Sequence, residues 1–156
     1  MANTRQTKKI TGSTLIPCKN GVMGHLIYIS TRQMGYQVEW DGFGDVQEIE
    51  FSELQTMRGS QRRFFEDNWI LIDDAEVLKQ LGVDKYYKNH INTENFDTIF
   101  TMSPEQIENE LTGISEGLKC TIADRAREKV KDGSLDSLSV IKTISRMCNC
   151  DLSEDI

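Results

Sequence analysis

Gly35-Tyr36-Gln37-Val38-Glu39-Trp40-Asp41-Gly42-Phe43-Gly44-Asp45-Val46-Gln47-Glu48-Ile49-Glu50-Phe51-Ser52-Glu53-Leu54 is the stretch on which the fold turns. Tyr36, Val38 and Trp40 alternate with Gln37, Glu39 and Asp41, the period of a strand with one face in a core. Alternation resumes at Val46, with Ile49 and Phe51 inward and Glu48 and Glu50 outward. Between the runs, Gly42 and Gly44 supply the positive φ angles that a hairpin needs.

The same signals extend over residues 10–72. Residues 15–18 form a short strand that Pro17 confines to an edge. Asn20-Gly21 marks a turn. Residues 23–30 contain a nearly continuous apolar run, His-Leu-Ile-Tyr-Ile, suited to a buried strand. Residues 60–68 form a helical turn in which Phe64 and Phe65 cap the core, and residues 69–72 form a last strand. Five short strands in so few residues imply a small barrel, which hides strand edges.

At Asp73-Asp74 the period changes. A helix begins there with Ala75, Leu78 and Leu81 inward and Gly82 as its stop. Residues 93–100 read as a further helix capped by Thr93. Ser103-Pro104-Glu105-Gln106 is a start signal with cap, first-turn proline and a reciprocal Gln. A long helix follows Ser115, with Leu118, Ile122, Ala126 and Val130 on one face. A final helix over residues 135–147 uses Leu138, Ile141 and Ile144. The expected fold is α+β: a basic arm (residues 1–9), an SH3-like small β-barrel (residues 10–72) and an acidic helical bundle (residues 73–156). No Gly/Ser/Pro linker divides barrel from bundle, so the two are expected to pack together.

Charge separates the halves. Residues 1–72 hold 8 Lys+Arg and 8 Asp+Glu, while residues 73–156 hold 10 and 17, so the whole net charge of −7 lies in the second half. Such a half disfavours phosphate and suits a basic partner surface. Glu105, Glu108 and Glu110 are the candidates for that contact. Against the acidic trend, Arg125, Arg127, Lys129 and Lys131 crowd the end of the long helix, where they complement its dipole. With Gly133 as a bend, residues 115–147 also have the outline of a helix-turn-helix.

Around Trp40 the spacing is informative in itself. Tyr36, Val38, Trp40, Gly42 and Phe43, followed by Glu50 and Leu54, resemble the chromodomain and related SH3-like barrels such as Tudor and KOW modules. The resemblance covers residues 35–54. It implies a binding module in which Trp40 and Phe43 are walls of a methyl-lysine cage, where a cation lies over aromatic faces. The alternation itself equally places Trp40 in the core with Tyr36 and Val38. In its small size and fused small barrel, the chain also resembles bacteriophage proteins, including inhibitors of host machinery and virion components.

A second candidate set is basic: Arg5, Lys8 and Lys9 in the arm, and Arg58, Arg62 and Arg63 beside Phe64 and Phe65. Cations interleaved with aromatics suit single strands or RNA. Catalytic signatures are absent from the sequence: it has no Gly-rich phosphate loop before a helix, no G-x-S-x-G and no H-E-x-x-H. Cys18, Cys120, Cys148 and Cys150, with His25 and His90 isolated, lack the spacing of a disulfide framework or zinc site, so free thiols and no cofactor are expected. No apolar run reaches the ~18 residues of a membrane span, and residues 1–30 lack a signal-peptide core. The expectation is a soluble cytoplasmic protein (host cytoplasm if viral), not an enzyme, that binds a protein. Nucleic-acid binding through barrel and arm, and service as a structural virion subunit, are the alternatives.

Overall fold

A single glutamate marks where strand gives way to helix. In the computed structural model, which describes residues 9–88 and 93–153, strand β4 (Val46–Glu50) passes directly into helix α1 (Phe51–Ser60). Phe51, Leu54 and Met57 recur at helical spacing and are buried, so the apolar face of β4 continues as a helix face. The alternation through Phe51 hides this change, and α1 occupies a stretch to which the sequence reading assigned no element.

The other strands are β1 (Leu15–Asn20), β2 (Leu26–Ile29), β3 (Gln37–Trp40) and β5 (Ile70–Leu71). They form two antiparallel sheets, β4-β1-β5 and β2-β3. Among the described residues these do not close into a barrel. The physical reason lies in β5, which pairs only with Lys19 and Asn20, and in α1, which occupies the path a longer β4 would take. The sheets are joined instead by side chains. The Trp40 indole N–H donates to the Cys18 carbonyl at 2.9 Å, and Trp40 is fully buried.

Pro17 lies in the middle strand rather than at an edge. Asn20 N–H donates to Asp45 O, which sets the β1–β4 register so that Pro17 turns its nitrogen away from β4. On that side β5 stops short, so the missing N–H costs no ladder bond.

Short helix α2 (Arg63–Glu66) buries Phe64 and Phe65 beneath the sheets. Asp74 caps helix α3 (Ala75–Leu81) through the Glu76 and Val77 amides, and Gly82 ends it at φ 71°. Val77, Leu78 and Leu81 are its buried residues, whereas Ala75 is exposed. A 3-10 turn, Asp84–Tyr87, follows. Helices α4 (Pro104–Leu111), α5 (Glu116–Lys131) and α6 (Leu138–Met147) come after a second 3-10 segment, Thr93–Thr101.

Two cores result. One runs from Ile16 to Tyr87 and the other from Phe96 to Leu152. The stretch from α3 to Tyr87, grouped with the helices by its period, thus packs on the strand side. In the second core Leu118, Ile122, Ala126 and Val130 are buried as their spacing demands. On α6 the buried face is Val140, Ile141, Thr143 and Ile144, while Leu138 is 54% exposed.

The cores meet along the start of α5. Ser115 Oγ donates to Asn68 Oδ1 at 2.7 Å, and Thr121 Oγ1 donates to Gly21 O at 3.1 Å. The Phe43 and Phe96 rings lie 4.9 Å apart between centroids. Trp40→Phe removes the bond to Cys18 and leaves a void, so a loss of about 1–3 kcal/mol is expected in urea denaturation.

Candidate functional site

Helix α4 carries the acidic candidates, and its sequence explains their display. Ser103 Oγ accepts from Gln106 N, and Gln106 Oε1 accepts from Ser103 N, a closed capping box with Pro104 in the first turn. Ile107 and Leu111 are buried. With the inward face so fixed, Glu105, Glu108 and Glu110 are all exposed. Arg146 of α6 reaches Glu108 at 3.3 Å. Neither Glu105 nor Glu110 takes part in an ion pair among the described residues.

Several cations of the same half are engaged at home. Arg125 makes a two-pronged contact with Asp97 at 2.9 and 2.7 Å and also reaches Glu128 at 3.0 Å. These hydrogen bonds, with Arg125 first, hold the Asp97 carboxyl below its usual range and keep Arg125 firmly protonated. Lys129 adds a 3.6 Å contact to Asp97 and lies over the Phe100 ring. Arg127 pairs with Asp124 and Lys119 with Glu116. Arg125, Arg127 and Lys129 at the basic end of α5 thus each have an acidic partner within the fold.

Trp40 and Phe43 are not brought together as a cage. Trp40 presents no surface at all, and its indole N–H is satisfied inside. Phe43 is half-buried and packs into the second core against Phe96. The Trp-x-Gly-Phe corner joins the cores, with Trp40 in the first and Phe43 against the second.

The basic candidates have different surroundings. Arg5 and Lys8 lie outside the described residues. Lys9 and Arg62 are exposed. Arg58 donates to Leu81 O at 2.9 Å and so fastens α1 to the end of α3. Arg63 pairs with Asp67 at 2.9 Å and lies over the Trp69 ring at 4.9 Å.

A group missed by sequence reasoning surrounds Glu53 on α1. Its side chain is 1% exposed. Tyr28 Oη donates to it at 2.7 Å, Gln33 Nε2 at 2.9 Å and Arg32 Nη2 at 3.0 Å. Burial alone pushes this carboxyl up. Donors from Ser30, Tyr28, Arg32 and Gln33 outweigh burial and bring its pKa down to about 2. Burial first, then Glu53, pushes the Tyr28 phenol up. With its donors inside and little of it exposed, the carboxylate is a tie between α1 and the β2–β3 connection, not an available acid or base. No local signal links residues 28–33 to position 53, since only the folded hairpin brings them together.

The four cysteines are unpaired, with Cys18 and Cys148 buried. Burial pushes both of these thiols up to about 12, which makes them poor nucleophiles. Among the described residues no group of three or more His, Cys, Asp or Glu side chains is placed to hold a metal ion, and no helix is long and apolar enough to cross a membrane. His90 lies outside the described residues. Compared with known proteins, the chain matches no family model, no curated protein and no solved structure.

Proposed function

We propose that this protein is a non-catalytic protein-interaction or accessory factor whose acidic helical half docks on a basic surface of a partner. One observation carries the reading: Arg125, Arg127 and Lys129 of α5 are held in internal ion pairs, while Glu105 and Glu110 face outward on a capped helix. Carboxylates held on such a helix offer a fixed negative field that steers a cationic partner and sets its orientation. In this reading the strand half is a small-barrel scaffold left open between its two sheets, and its aromatic corner serves packing.

The test is charge reversal. Glu105→Lys, Glu108→Lys and Glu110→Lys together alter only exposed side chains, so stability should change by no more than about 0.5 kcal/mol per site. Partner capture should be lost while the far-UV spectrum and Tm stay near wild type. Unchanged capture by a folded triple variant would sink the reading.

A further inference from the structure

Strand β1 is the middle strand of its sheet, yet one of its sides is only partly paired. Asn20 N–H donates to Asp45 O and Gly21 N–H to Trp69 O, so the even-numbered residues of β1 bond to β4 and the odd-numbered ones face β5. β5 reaches only Lys19 and Asn20. The N–H and C=O of Leu15 and the C=O of Pro17 are therefore turned to the β5 side without a hydrogen-bond partner among the described residues. Beside them, where the chain leaves β5 for α3, a groove of about 280 Å³ opens; Ile10, Leu15, Pro17, Lys19, Asp73 and Asp74 are in its lining.

The lining has apolar walls and an excess of acceptors. Ile10, Leu15 and Pro17 supply the walls, and Leu15 is 54% exposed. Lys19 Nζ lies 2.9 Å from Asp73 Oδ2, so that carboxylate has its cation. Asp74 differs: its Oδ1 accepts the Glu76 and Val77 N–H groups, and its Oδ2 takes no hydrogen bond among the described residues. Leu15 O, Pro17 O and Asp74 Oδ2 are thus acceptors without a donor. Two carboxylates stand against one ammonium in the lining, which leaves one negative charge over.

We propose that this groove binds a primary alkylammonium. Its aliphatic chain lies along Ile10, Leu15 and Pro17, and its ammonium brings three N–H donors and the missing positive charge to the open acceptors. The volume falls just below the roughly 300–1,000 Å³ of drug-sized sites, which suits a chain of a few carbons. An added strand fits less well, because Pro17 has no N–H to offer it and one ladder bond is lost at the centre of the open stretch. The groove belongs to the first core and α4 to the second, so this proposal and the acidic-helix reading fail separately.

The probe is n-pentylammonium chloride, titrated into the full chain at low salt and followed by amide chemical shifts. Expected are saturable shifts at Ile10, Leu15 and Asp74, with n-pentanol and pentanoate binding roughly tenfold more weakly or worse. Asp74→Asn keeps an oxygen to cap α3 and removes the charge. Its Tm should stay near wild type while affinity for the probe falls roughly tenfold. If that variant fails to fold, the comparison of the three probes on the wild-type protein still decides. Nα-acetyl-lysine amide separates the sources of the ammonium: binding as tight as that of the probe assigns the groove to a lysine side chain, and weaker binding assigns it to a free amine. Equal binding of n-pentanol, shifts that map away from the groove, or undiminished affinity in folded Asp74→Asn overturns the proposal.

Discussion

Glu53→Ala is expected to lower stability by about 3–5 kcal/mol, the usual cost of removing one partner from a buried charged network. Tyr28, Arg32 and Gln33 would lose their common acceptor, and the Tyr28 hydroxyl would be stranded in the core. For a chain of this length that corresponds to a fall in Tm of roughly 10 °C or more, out of a total stability of about 5–15 kcal/mol. Glu53→Gln keeps the shape but sets an amide against donors, and should lose somewhat less.

The pH dependence distinguishes this network from simple packing. Folded Glu53 has its pKa lowered from 4.5 to about 2, so the unfolded chain takes up the proton first. Stability from this group is therefore fully present above pH 4.5 and is lost as pH falls from there through about 2. Urea denaturation of wild type and Glu53→Gln should show a gap that is wide at neutral pH and narrows steadily below pH 4.5. A gap that is constant with pH would mean that the carboxylate charge contributes nothing.

Gly117→Leu is expected to part the two cores. A Cβ at position 117 would collide with the Asp67 carbonyl oxygen and Cβ, which are backbone and a neighbouring stem and cannot rotate away. Helix α5 would have to withdraw, and the Ser115–Asn68 and Thr121–Gly21 bonds with it. Overpacking of this kind costs about 1–3 kcal/mol, more for a long side chain against backbone. Each core keeps its own buried set, Ile16 to Tyr87 and Phe96 to Leu152. Calorimetry should then resolve two transitions in place of one, with far-UV signal retained. Gly59→Ala is the control: it lies in α1 with nothing near its would-be Cβ, so helix propensity should leave stability equal or higher. A single unshifted transition in Gly117→Leu would show that α5 does not hold the halves together.

Period and caps carried much of the architecture into view from sequence. The α5 stripe, the Ser103 box, the Asp74 start and the Gly82 stop rest on signals within one or two turns of chain, and each occurs as its chemistry requires. What escaped detection depends on distant partners. At Glu50 a strand becomes a helix with no capping side chain and no glycine, so periodicity alone ran the strand on through Phe51. The barrel reading failed to close for the related reason that α1 and the two-residue β5 sit where further pairing was expected. Glu53 resembles any surface glutamate until Tyr28, Arg32 and Gln33 surround it. Trp40 and Phe43 show the converse: a familiar local pattern was visible, but the fold puts Trp40 inside and Phe43 against Phe96 of the neighbouring core.

The acidic face of α4 is tested by comparative capture from a nuclease-treated lysate of the cells in which the protein occurs. Wild-type protein and the Glu105→Lys/Glu108→Lys/Glu110→Lys variant would be used side by side, with salt raised stepwise. A protein partner bearing a basic surface should be retained by the wild type, resist nuclease, weaken with salt and be missing from the variant. An identical set of partners on both proteins, or a catch that nuclease abolishes, would contradict the account.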